Sequence, residues 1–381
     1  MLQRVRVPLL FFVSLGLLAG YSSAQDQKEI QGQRVLTVSH SFHAFMPGVL
    51  ADIAKVAGIK NHKQIGSHFI GGSRVIQHWT TQGVIGKESN DVPLPTATIH
   101  LAEAQSFAAS GEIVIQTSDG DAVVHYTGRK GKTFTGCTGG KGTLIAGKKV
   151  SQEENAARQT LKTGAVDVLT MSPLWLPDDG IENFVKLGLA TNPGIRLFVQ
   201  ENWLPWDHYD AKLKPLVSGS ELTTKDGKGI PNLRPFIVAG SKHNAATGEW
   251  LRKMHAPYFK EFDDHVAELN KKYKTNAVRV APVGQAVIAL REKISAGQAP
   301  GLKEQSDLFS DTLGHGKAPL MTLAGYVYYA ALYERSPVGL PVPAALAQAP
   351  EADKLNRLLQ EIAWQAVTDH PLSGVKAATN R

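Results

Sequence analysis

The chain has 381 residues, a formal net charge of +7 and one cysteine, Cys137. That length allows one large α/β domain with an insertion, or two domains. A lone cysteine excludes an intrachain disulfide, so core packing must hold the fold, and lysines that are scattered rather than run together argue against nucleic acid as a partner.

Residues 1–24 read as a secretory signal. Arg4 and Arg6 supply the positive start, residues 8–20 are largely apolar, and Ser22-Ser23-Ala24 suits cleavage after Ala24. The expected location is secreted or periplasmic. Tyr21 stands where a lipoprotein would need cysteine. No later run is long and apolar enough for a membrane span after signal removal.

A polar lead-in covers residues 25–33. The β-branched run of residues 35–38 then predicts a buried strand. Ser41 follows in a tight turn, and Val49, Ile53, Val56 and Ala57 recur at helical spacing. Residues 64–70 predict a second strand, Gly71-Gly72-Ser73 a tight loop, and residues 75–79 the start of another helix. From about residue 93 to 150 the composition turns to Gly, Thr and short β-like runs, which predicts a small antiparallel unit. This is read as an inserted module, residues 93–150. Its YTG…TFTGC pattern, from Tyr126 to Cys137, resembles small β modules of phage-tail and virion surface proteins. The likeness implies a binding or spacing element, with a glycan or a surface as its partner.

Strand–helix alternation resumes at Ser151. Residues 151–164 predict a helix with Ser151 as cap and Glu154 completing a capping box. Strands are predicted at residues 165–171, 195–199 and 277–283. Helices are predicted at 181–190, 245–273 (bent near Pro257), 284–296, 320–333 and 351–368. After Ser336 the chain is Pro-rich, and residues 337–381 are read as a separate tail ending in a helix.

Strands separated by helices imply a parallel sheet covered on both faces, with the strand ends gathered at one rim. The expected fold is α/β: a three-layer α/β/α sandwich with a five-stranded, flavodoxin-like sheet, plus the antiparallel insertion. Ser41, Gly72, Ser172, Glu201, Asn202 and the late loop with Asp311 and His315 all fall at that rim. A serine nucleophile needs a base within reach and a group that orients the base. A loop carrying both Asp and His can supply the last two, although Asp307 competes with Asp311. A serine in such a turn is otherwise a helix cap. Thirteen histidines invite a zinc reading; lacking a His-x-x-x-His helix or a compact carboxylate cluster, the chain is expected to use no metal and no cofactor.

Ser39-His40-Ser41-Phe42, Gly72 in IGGSRVIQHW, and Asp311 with His315 together resemble the blocks of the SGNH hydrolase superfamily, the GDSL-type esterases and lipases. The likeness covers residues 34–92 and 151–336. It implies a Ser41/His315/Asp311 triad, with Ser41, Gly72 and Asn202 as oxyanion donors. Four departures stand out. Ser39 replaces a turn glycine, His40 replaces Asp or Asn, Ser172 follows the third strand where the family has Asn, and Asp311 and His315 are four apart rather than three. Trp175, Trp203 and Trp206 fall on rim loops and could stack on sugar rings, so the expected substrate is an ester, with an acetylated carbohydrate favoured. A non-catalytic binding protein on the same fold is the competing expectation.

Overall fold

The computed structural model describes residues 30–102, 107–174, 176–203, 244–311 and 314–376. In chain order the strands and helices are β1 (Arg34–Ser39), α1 (Met46–Val56), β2 (Lys63–Phe69), β3 (Thr81–Val84), β4 (Thr98–His100), β5 (Gly111–Thr117), β6 (Gly120–Tyr126) and β7 (Gly128–Lys130). There follow β8 (Thr133–Thr135), β9 (Thr138–Gly139), β10 (Lys149–Gln152), α2 (Ala156–Lys162), β11 (Val168–Met171), α3 (Asp179–Thr191) and β12 (Arg196–Gln200). The last are α4 (Gly248–Tyr273), β13 (Val278–Ala281), α5 (Val283–Ser295), α6 (Ala318–Tyr333) and α7 (Ala352–Asp369).

Five strands form a parallel sheet in the order β13-β12-β11-β1-β2. The central strands β1, β11 and β12 are almost wholly buried, as their continuous Val, Leu and Phe runs require. β2, at one edge, reads KQIGSHF and is half exposed. Alternate residues of β1 enter different cores. Val35 packs with residues of α1, α5, α6 and α7, whereas Leu36 and Val38 pack with residues of α2, α3 and α4. Helix α6 is buried nearly all round. At Gly325 an added Cβ would sit 2.5 Å from Val49 and 2.6 Å from Ile53, so this glycine permits the close α1–α6 approach.

The remaining strands form antiparallel sheets, β3-β10-β5-β6-β9 and β4-β8-β7. They enclose a third core that runs from Ile85 to Val150. Strand pairing begins at Thr81, opposite Gln152, which is earlier than the compositional change at residue 93 indicates. The helix expected from Val75 is only a 3-10 turn, Val75–His78. Its end is pinned sideways: Trp79 meets Phe184 edge-on at 5.2 Å, and the Arg158 guanidinium lies 4.2 Å from the Trp79 ring centre. Ser151 is likewise not a cap, because β10 continues through it. Asn155 caps α2 instead, accepting from the Arg158 N–H at 3.1 Å.

Candidate functional site

Ser41 lies in the turn after β1, half-buried. The His43 and Ala44 N–H groups both donate to the His40 carbonyl, at 3.0 Å each, and this bends the chain toward α1. The His40 ring takes the place of a capping Asp or Asn: its Nδ1 accepts from the Phe42 N–H at 3.2 Å. Among the described residues the Ser41 hydroxyl makes no hydrogen bond.

The loop before α6 is closed by a bridge between Phe309 and Gly316 and by the Ser310 N–H donating to the His315 carbonyl at 2.8 Å. It is not helical. One Asp311 oxygen accepts from the His315 backbone N–H at 3.1 Å, and the other lies 2.5 Å from His315 Nδ1. A carboxylate there holds the hydrogen on Nδ1 and leaves Nε2 able to accept a proton. This grip explains how a four-residue spacing still pairs the two side chains. Asp307 is committed elsewhere, accepting from the Lys303 and Glu304 N–H groups at 2.9 and 3.0 Å.

The two segments meet through Phe42. Its ring is edge-on to His315 at 5.2 Å and stacks on Trp203 at 4.9 Å with an interplanar angle of 7°. Trp203 is 1% exposed and packs in the core, so it does not present a face for stacking a sugar. Trp175 and Trp206 lie outside the described residues. Gly72 is exposed at φ +62°, in a loop where an added Cβ meets nothing within 4 Å.

Behind the turn lies a buried polar network that residue patterns alone did not reveal. His43 Nδ1 is 2.7 Å from Gln200 Oε1 and Nε2 is 2.9 Å from Thr170 Oγ1. Gln200 Nε2 donates to Asn202 Oδ1 at 2.5 Å, which fixes the amide orientation. Nδ1 of His43 therefore carries the hydrogen. His40 Nε2 lies 3.0 Å from Ser172 Oγ, whose hydroxyl donates to Asn202 Oδ1 at 3.2 Å. Burial first, then the nearby His43 and His315, push the His40 imidazole down to about 3. Burial likewise pulls His43 down to about 4 against the opposing Gln200 bond. Asn202 is fully buried and its amide donates to the Pro173 carbonyl at 2.7 Å, so it faces this network rather than open space.

Two further clusters bear on alternatives. Ser73 pairs with His78 Nε2 at 2.6 Å, but its own proton goes to the Ile70 carbonyl at 2.8 Å and the residue is buried. Such a hydroxyl is poorly placed to be a nucleophile. Glu201, Asp263 and His370 bring ligand-type atoms within 4.8 Å of one another. The Leu372 N–H donates to His370 Nδ1 at 3.2 Å, which keeps the ring hydrogen on Nε2, 3.1 Å from Asp263 Oδ1. A metal-ligating histidine keeps the hydrogen on its other ring nitrogen, whereas His370 Nδ1 accepts a backbone N–H, so the trio fits a carboxylate–imidazole ion-pair cluster better than a metal centre. Burial raises the Glu201 carboxyl to about 7.

No protein-family model matches the chain, and no curated protein matches its sequence. Among solved structures, a DUF4886 family protein from Bacteroides uniformis is 12% identical with a TM-score of 0.45, over 91% of this chain and 98% of the other. A peptidoglycan O-acetylesterase is 7% identical with a TM-score of 0.24, over 87% of this chain and 90% of that one. A beta-glucosidase from Kluyveromyces marxianus is 9% identical with a TM-score of 0.19, over 47% of this chain and 34% of the other. These scores describe distant likenesses.

Proposed function

We propose that this chain is an SGNH-type serine esterase on a three-layer, flavodoxin-like α/β/α sandwich, exported by residues 1–24. The observation that carries the reading is the meeting of the Asp311–His315 pair with the turn that holds Ser41, through the 5.2 Å contact of Phe42 with His315. Segments about 270 positions apart in the chain thereby share one rim. In the proposed reaction the Ser41 hydroxyl attacks an ester carbonyl while His315 Nε2 takes its proton. Asp311 holds the imidazole and stabilises its charged form. The backbone N–H groups of Ser41 and Gly72 receive the oxyanion, and Asn202 supports the rim from behind. His315 returns the proton to the leaving alcohol, and water then releases the acyl group from Ser41. No cofactor enters this scheme. An acetylated carbohydrate is the proposed substrate class, with residues 93–150 as a glycan- or surface-binding element beside the catalytic unit.

Purified protein should hydrolyse p-nitrophenyl acetate, and Ser41→Ala should lower kcat by about 10⁴-fold or more. A serine-reactive phosphonate should label Ser41; labelling at another serine would remove Ser41 from the mechanism. A second reading, a non-catalytic binding protein, is favoured by one observation: Ser41 and His315 are not hydrogen-bonded. Free enzymes often close that bond only with substrate present, so turnover separates the two readings directly.

A further inference from the structure

The Trp203 indole N–H donates to the carbonyl of Gly314, the residue just before His315, at 2.8 Å. We infer that Trp203 is a positioning residue for His315, acting through that carbonyl and through Phe42. The inference rests on the reading of His315 as the general base.

A buried indole N–H must find an acceptor. Here the acceptor belongs to the peptide that sets the direction of the His315 side chain. The Gly314–His315 peptide is held on both sides: Trp203 grips its carbonyl, and an Asp311 oxygen grips the His315 N–H at 3.1 Å. Gly314 itself sits at φ +88°, a conformation that favours glycine, and its N–H donates to the Asp311 carbonyl at 3.2 Å. With the peptide plane fixed, the imidazole is placed by Asp311 at Nδ1 and by the Phe42 edge. Phe42 also lies flat on Trp203 and adjoins Ser41 in the chain. One indole thus braces the turn of the nucleophile with its face and the loop of the base with its N–H. A displacement of about 1 Å is costly in such a site, which gives a buried residue outside the reaction a measurable effect on rate.

Trp203→Phe keeps an aromatic face for Phe42 and removes the donor. Two readouts are followed on the full chain: kcat and KM for p-nitrophenyl acetate, and the downfield NMR resonance of the His315 Nδ1–H. The expected result is a kcat lower by about 10- to 100-fold with KM within about twofold of wild type. The Nδ1–H resonance should shift or exchange faster. Wild-type kcat together with a wild-type resonance would overturn the inference. If the variant does not fold, Phe42→Leu serves instead: it keeps the indole bond, removes the ring between Trp203 and His315, and should give the same selective loss of kcat. Wild-type kcat in that variant would equally overturn it. Full turnover by His315→Gln would instead sink the assignment of His315 as base, whereas the resonance still reports whether Trp203 positions the ring.

Discussion

His43 sits fully buried beneath the Ser41 turn, and its ring is neutral because burial disfavours the charged imidazolium. Its folded value, pulled by burial to about 4, lies below the ordinary 6.5. Below about pH 6.5 the unfolded chain binds a proton at this histidine and the native chain does not, so stability falls as pH falls toward about 4. The contribution amounts to about 3 kcal/mol over that window. Urea unfolding of wild type and His43→Asn across pH 7.5 to 4.5 isolates it: the wild type should lose more stability on acidification than the variant. Parallel curves would mean the ring is not held neutral. This residue also marks where the sequence stopped being informative. Ser41, His315 and Asp311 stand out because each is a reactive type at a predicted rim. His43, Gln200, Ser172 and His40 form one network only because three strand ends, those of β1, β11 and β12, come together, and no spacing along the chain encodes that.

Asp178 shows the same limit one level up, in how elements are joined. It caps α3 by accepting from the Gly180 N–H at 3.0 Å, and the same carboxylate accepts from Val75 and Ile76 of the 3-10 turn at 2.6 and 2.9 Å. Gly180 makes this approach possible, since an added Cβ there would lie 2.2 Å from the Ile76 nitrogen. Asp178→Ala would leave three buried or half-buried donors without an acceptor and should cost about 2–4 kcal/mol of stability. Chemical denaturation measures this directly; a loss under about 0.5 kcal/mol would show that water replaces the carboxylate without penalty. The helix at residues 181–190 is visible in the sequence, but the tie of Asp178 to residues 75 and 76 is not, being made across 102 to 103 positions. Local signals also misled in two places. Ser151 with Glu154 imitates a capping box, yet the ladder of β10 to β3 claims Ser151 and moves the cap to Asn155. Residues 75–79 have helical apolar spacing, yet contacts with α3 and α2 end the turn at His78.

At the scale of the molecule, the parallel sheet was legible because buried strands write themselves as Val, Leu and Phe runs bounded by turns. The antiparallel unit was legible as a change in composition, but its base was not. β3 lies outside the predicted module, and β10 straddles its end and the start of the helix predicted from Ser151; only their pairing joins them. That pairing defines a test of whether the unit is separable. Val84 and Lys149 face each other across the two strands. Replacing residues 85–148 with Asn-Gly would join them by a two-residue hairpin turn. The third core would leave almost as a whole, since it is built from residues between Ile85 and Val150. Gln152 would lose its bonds to the Ala108 N–H and the Tyr126 hydroxyl, but the deletion also opens that position to water. The five-stranded parallel sheet and both of its cores keep their contacts. The shortened chain is therefore expected to fold and to hydrolyse p-nitrophenyl acetate within about twofold of the full chain, because the bonds lost at Gln152 are not to Ser41, Asp311 or His315. Loss of phosphonate labelling at Ser41 in a shortened chain that still unfolds cooperatively would show that the antiparallel unit completes the site. Retained labelling with lost uptake of an acylated polysaccharide would assign it to binding.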